Sequence, residues 1–90
     1  RAFVDNRILD YVPQPGTPTH SPVALMVRDT VGSVQGFSKS LKIPPATLMR
    51  YMRGGQIQMP QSIADALATS GYHHVRALRD AQEDWIVKYV

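Results

Sequence analysis

Val34 to Gly54 reads VQGFSKSLKIPPATLMRYMRG, two short amphipathic patterns separated by a proline pair. In the first pattern Val34, Phe37 and Leu41 recur at spacings of three and four, which puts them on one face of a helix that Ser33 can cap. In the second, Leu48, Tyr51 and Met52 share a face, and Gly54-Gly55 supplies a strong stop. Between them Pro44 disfavours a helical Ile43, and Pro45 does the same to Pro44, while Pro45 itself suits the first turn of a new helix. The pattern predicts two short helices joined by a tight bend. Gly36 is the weak point, because glycine inside a helix costs about 1 kcal/mol against alanine, and it is expected to be tolerated where another backbone packs close by.

Outward from this unit, Ser21-Pro22 reads as an N-cap followed by proline at the first helical position. The helix it opens has Val23, Leu25 and Met26 inside and stops near Gly32. Beyond the unit, Gln56 to Met59 is a loop. A helix from Pro60 or Gln61 places Ile63, Ala64, Leu67 and Ala68 inward and closes at Ser70-Gly71. A last helix is expected from about His73 to Tyr89, with Val75, Leu78, Gln82, Trp85, Ile86 and Tyr89 at helical spacing. Pro13 to Pro22 holds four prolines and one glycine and cannot keep regular structure. Residues 1–12, with apolar Phe3, Val4, Ile8, Leu9, Tyr11 and Val12, fit two short extended pieces or one short helix. The expected fold is therefore all-α: about five short helices in a compact bundle, with an irregular proline-rich arm over residues 1–21 and a helix-turn-helix domain over 22–90.

The charge distribution adds a functional constraint. The chain has 90 residues, 43% of them hydrophobic, with a net charge of +3. All seven acids lie outside the 35-residue window from Thr30 to Ala64, whereas Lys39, Lys42, Arg50 and Arg53 lie inside it. A stretch with cations and no carboxylates suits a surface that faces a polyanion. There is no cysteine, hence no disulfide and no thiolate chemistry. No apolar run approaches the length of a membrane span, and the first residues do not read as an export signal.

Several of these spacings resemble the helix-turn-helix of the lambda-repressor-like, Xre/Cro family. Phe37 matches the family's central hydrophobic residue in the first motif helix, Ser38 the small residue after it, and Leu41 the next hydrophobic position. Ile43 closes the turn, Leu48 and Tyr51 are the inner positions of the recognition helix, and Gly54 ends it. The likeness runs from about Pro22 to Gly71. The family's turn glycine is Lys42 here, which implies a left-handed backbone at a residue other than glycine. The family's glutamine at the start of the first motif helix falls at Val34, with Gln35 beside it.

The resemblance implies sequence-specific binding of double-stranded DNA, as a transcriptional regulator or repressor in a bacterial or phage-like cytoplasm, on the nucleoid. The recognition helix would present Pro45, Ala46, Thr47, Met49 and Arg50 to base edges, with Arg50 suited to guanine and Ala46 and Met49 to a thymine methyl. Met49 could instead be half-buried. Gln35, Lys39, Lys42, Arg53 and Gln56 are the expected phosphate contacts. A homodimer would set two recognition helices about 34 Å apart on successive major grooves. Trp85, Ile86 and Tyr89 are the candidate interface, unless that stripe closes the chain's own core. No cofactor, metal or small-molecule substrate is indicated. The histidines His20, His73 and His74 form no recognisable catalytic or metal motif, and no glycine-rich phosphate loop occurs, so an enzyme is not expected. A helical adaptor that binds protein stays open beside the DNA reading.

Overall fold

The computed structural model describes residues 6–90, so Phe3 and Val4 of the apolar run near the start lie outside the described residues. Among the described residues six helices follow one another: α1 (Asn6–Leu9), α2 (Pro22–Asp29), α3 (Val34–Leu41), α4 (Pro45–Met52), α5 (Gln61–Ser70) and α6 (Val75–Tyr89). The architecture is all-α, and no strand occurs among the described residues. It has one helix more than the five expected, because the undecided apolar run near the start includes α1. The last helix starts two residues later than expected, with His74 as its N-cap.

Local chemistry sets most of the boundaries. Ser21 Oγ accepts from the Ala24 amide at 3.1 Å and Pro22 opens α2, while Thr30 Oγ1 donates to the Met26 carbonyl at 2.6 Å near its end. Ser33 Oγ accepts from the Gly36 amide at 3.1 Å at the start of α3. Gly71, at φ 95°, ends α5, and the Tyr72 amide donates back to the Leu67 carbonyl at 3.1 Å. What lies close to Gly36 is not another backbone: a Cβ there would stand 2.7 Å from Val31 Cγ1 and 2.9 Å from the capping Ser33 Oγ. Glycine leaves room for the cap, which offsets its cost in the helix.

The bend is made by Lys42, Ile43 and Pro44. Lys42 takes φ 56° and ψ 42°, the left-handed conformation that the missing turn glycine implied. This lets the Ile43 amide return to the Ser38 carbonyl at 2.9 Å and drops Ile43 into the core, 3% exposed. An L-residue other than glycine pays about 1–2 kcal/mol for this backbone, part of which glycine loses again through its greater unfolded freedom. Lys42→Gly is therefore expected to stabilise the fold by about 1 kcal/mol, or about 4–8 °C in melting temperature. A thermal melt that falls on this substitution would show the turn to be unstrained.

The core lies where α3, α4 and α5 meet α2 and α6. Phe37, Leu48, Tyr51, Met26, Leu67 and Leu78 are all essentially inaccessible. Ser38, 3% exposed, is small enough to let α3 and α4 approach. From Asp10 to Ser21 the arm is irregular as expected but fastened along the bundle. Ile8 is fully buried in the core. Tyr72 Oη donates to the Tyr11 carbonyl at 2.8 Å, and Trp85 Nε1 donates to the Thr17 carbonyl at 2.7 Å. Gly16, at φ 84°, permits the close approach, since a Cβ there would sit 2.8 Å from Trp85 Cδ1.

The Tyr51 hydroxyl is buried without a hydrogen-bond partner. Burial, chiefly, pushes its pKa up to about 12 from 10.0; Arg79 opposes the shift and Glu83 adds to it. Tyr72 is raised to about 12 in the same way. A raised phenol keeps its proton in the folded chain while the unfolded chain loses it. Its contribution is fully present below pH 10 and disappears as pH rises towards 12. Tyr51→Phe should leave stability at neutral pH unchanged or slightly higher, because it removes an unpaired polar atom, and should flatten the alkaline loss. Urea midpoints at pH 7 and pH 11 check both halves.

Candidate nucleic-acid interface

The second helix of the bent pair divides cleanly. Leu48 and Tyr51 face inward and are fully buried, whereas Pro45, Ala46 and Arg50 are exposed and Thr47 and Met49 half-buried. All five residues expected to meet bases thus lie on or beside the outer face of α4, and Met49 takes the half-buried position that had been left open. A shallow, open depression runs along this face, lined by Ala46, Met49, Arg50, Arg53, Gly54 and Gly55. Arg50 lies back over Gly55: a Cβ there would stand 2.8 Å from Arg50 Cγ. Glycine at 55 thus gives the arginine stem a flat bed, and less side-chain freedom remains to be lost when its guanidinium meets a ligand.

Around α4 stand the cations. Lys39 on α3, Lys42 in the bend and Arg53 after α4 are exposed, as is Gln35 in the first turn of α3. Ion pairs occur elsewhere, at Arg28–Asp29 and Arg79–Asp80, and none of Lys39, Lys42, Arg50 and Arg53 has a carboxylate partner among the described residues. The acids of α6, Asp80, Glu83 and Asp84, are exposed. Gln56 is only half-buried, but its amide nitrogen already donates to the Gln58 carbonyl at 2.9 Å, so one end of that side chain is committed to the loop.

What holds α4 in place is less visible in the sequence. At the helix end the Met49, Arg50 and Tyr51 carbonyls accept from the Arg53, Gly55 and Gly54 amides, at 3.1, 2.9 and 3.0 Å. Gln82, fully buried on α6, donates from Nε2 to the Tyr51 carbonyl at 2.8 Å and accepts from the Val23 amide at 3.1 Å. Ser21 Oγ donates to the Met52 carbonyl at 2.6 Å. Two polar side chains thus tie the end of α4 to α2 and α6. The signal for Gln82 was a glutamine at an inward position of an otherwise apolar stripe; for Ser21 the capping role concealed the second bond.

The expected dimer residues are distributed differently from the sequence reading. Trp85 and Ile86 are 8% and 9% exposed within the single chain, packed against the arm and the glycine that ends α4. They are spent on the fold, and of the three only Tyr89 reaches the surface, beside Val87 and Val90. His20 hydrogen-bonds to Thr19 on the arm, and His74 meets the Tyr72 ring edge-on. No group of three or more His, Asp or Glu among the described residues is placed to share a metal ion, and no helix among them is long and apolar enough to cross a membrane. Compared with known proteins, the chain matches no family model, no curated protein and no solved structure.

Proposed function

We propose that this chain binds double-stranded DNA sequence-specifically, with α4 in the major groove, as a transcriptional regulator of the lambda-repressor-like helix-turn-helix type. The observation that carries this reading is the outer face of α4, exposed, with four cations on and around it that have no carboxylate partner among the described residues, and with no carboxylate between Thr30 and Ala64. Arg50 is the base reader, because it stands on the helix itself with its stem braced on Gly55. Lys39, Lys42, Arg53 and Gln35 are placed on the flanks, where contacts to phosphates set register and supply affinity without sequence information. Two copies would be needed to read more than a few base pairs, and the exposed Val87, Tyr89 and Val90 at the end of α6 are apolar residues available for pairing.

The test is selection from a random duplex library, followed by mobility shifts with Arg50→Ala and Lys42→Ala. Arg50→Ala should lose about 1–3 kcal/mol at one base position and relax the preference there. Lys42→Ala should weaken all sequences alike and reduce the salt slope by about one. Failure to retain any duplex at low salt would overturn the reading. Lys42→Gly adds a contrast, since it should weaken binding while raising the melting temperature.

A further inference from the structure

The first turn of α4 is unlike the rest of the candidate interface. Pro44, Pro45 and Ala46 stand exposed in sequence, Thr47 and Met49 follow half-buried, and the first charge arrives only at Arg50. Of these five residues only Thr47 has a side chain that hydrogen-bonds. The two prolines also remove two backbone N–H groups from the entry to the helix. A helix end normally offers free amides to acceptors; here part of that donor set is gone and pyrrolidine rings stand in its place. Ala46 and Met49 line the shallow depression that leads along the helix to Arg50 and Arg53.

Set into a major groove, such a surface meets mostly hydrogen-bonding groups. Guanine presents two acceptors, adenine an acceptor and a donor, and cytosine a donor. Only thymine adds an apolar group, its C5-methyl. A polar base edge pressed against Pro45 or Ala46 would lose its water and gain no partner, which is costly, whereas a methyl gains burial. Resting on the DNA-binding reading above, we infer that the first turn of α4 recognises pyrimidine C5-methyl groups. The preferred half-site then carries thymines opposite Pro45, Ala46 and Met49 and a guanine opposite Arg50. The cations beside the apolar turn commit this face to a nucleic acid: Lys42 precedes it, Arg50 and Arg53 follow it, and none has a carboxylate partner among the described residues.

The experiment replaces thymidine by deoxyuridine in the duplex selected from the random library, which deletes the methyl and leaves every hydrogen-bonding group in place. The full 90-residue chain is used, with binding measured by mobility shift. Each methyl lost from contact should weaken binding about fourfold. Restoring the methyl on cytosine, at a position where cytosine replaces thymine, should recover part of the loss. In Ala46→Gln, a substitution at an exposed site, the uracil penalty should shrink, because the methyl then faces an amide. If the wild-type chain binds its selected duplex and the uracil duplex equally well, methyl recognition is wrong and DNA binding stands. An equal uracil penalty in wild type and Ala46→Gln would take the contact away from α4's first turn. If no duplex is bound at all, both readings fall together.

Discussion

Replacing Gln82 by leucine should lower the stability of the fold by about 1–3 kcal/mol, although leucine has a similar size and a better match to an apolar core. The reason is what it leaves behind. The buried Val23 amide donates to this side chain at 3.1 Å and would lose its hydrogen bond without gaining water, whereas the Tyr51 carbonyl, 2.8 Å from Gln82 Nε2, keeps the Gly54 amide at 3.0 Å. An orphaned buried amide costs about 1–3 kcal/mol. A shift of the urea midpoint at constant slope measures this directly. A loss below about 1 kcal/mol would mean that water reaches the Val23 amide and that Gln82 is not the tie between α2, α4 and α6. Because α4 would then be held mainly by Leu48 and Tyr51, the amides of Arg53, Gly54 and Gly55 should also exchange faster in the variant.

Trp85→Ala is expected to cost about 3–5 kcal/mol, the usual range for deleting a large buried aromatic. Trp85 is 8% exposed and bridges two remote parts of the chain. Its Nε1 donates to the Thr17 carbonyl and its ring lies against Gly16 on the arm. On its other side it lies close to Gly54, where an added Cβ would stand 3.2 Å from Trp85 Cζ3. Its removal should free the arm between Asp10 and His20, so that limited proteolysis cuts there before the bundle unfolds. Trp85→Phe keeps most of the ring and loses the hydrogen bond, and should cost much less than alanine. As the single tryptophan, Trp85 reports unfolding of the wild type by its own fluorescence. An arm that stays resistant to protease in Trp85→Ala would show that Ile8 and Tyr11 hold it unaided.

The helices were legible because their signals are local. Ser21-Pro22, Ser33, Gly54-Gly55 and Ser70-Gly71 each act within one turn of where they stand, and Ile43-Pro44-Pro45 restricts its own backbone. The division of α4 into a buried Leu48–Tyr51 side and an open Ala46–Arg50 side followed from helical spacing alone. The left-handed Lys42 was also within reach, but only through the resemblance, because it stands where the family has its turn glycine. The arm was not. Nothing in Pro13 to Pro22 shows that Thr17 will meet Trp85, since the pairing joins residues far apart in sequence and depends on the bundle already being formed. The same holds for Gln82, whose polar ends have no partner within its own helix. The stripe Trp85, Ile86 and Tyr89 could be placed on one face by its spacing, but spacing does not say whether that face meets the same chain or another.

Binding to duplex DNA as a function of salt tests the central claim most directly. With Lys39, Lys42 and Arg53 on phosphates, the logarithm of the affinity should fall with a slope of about −2.7 per monomer, a loss of about 40-fold between 50 and 200 mM salt. Arg50→Ala should keep that slope and lose the base preference. Affinity that does not change with salt would contradict a phosphate-facing surface and point instead to an apolar protein partner.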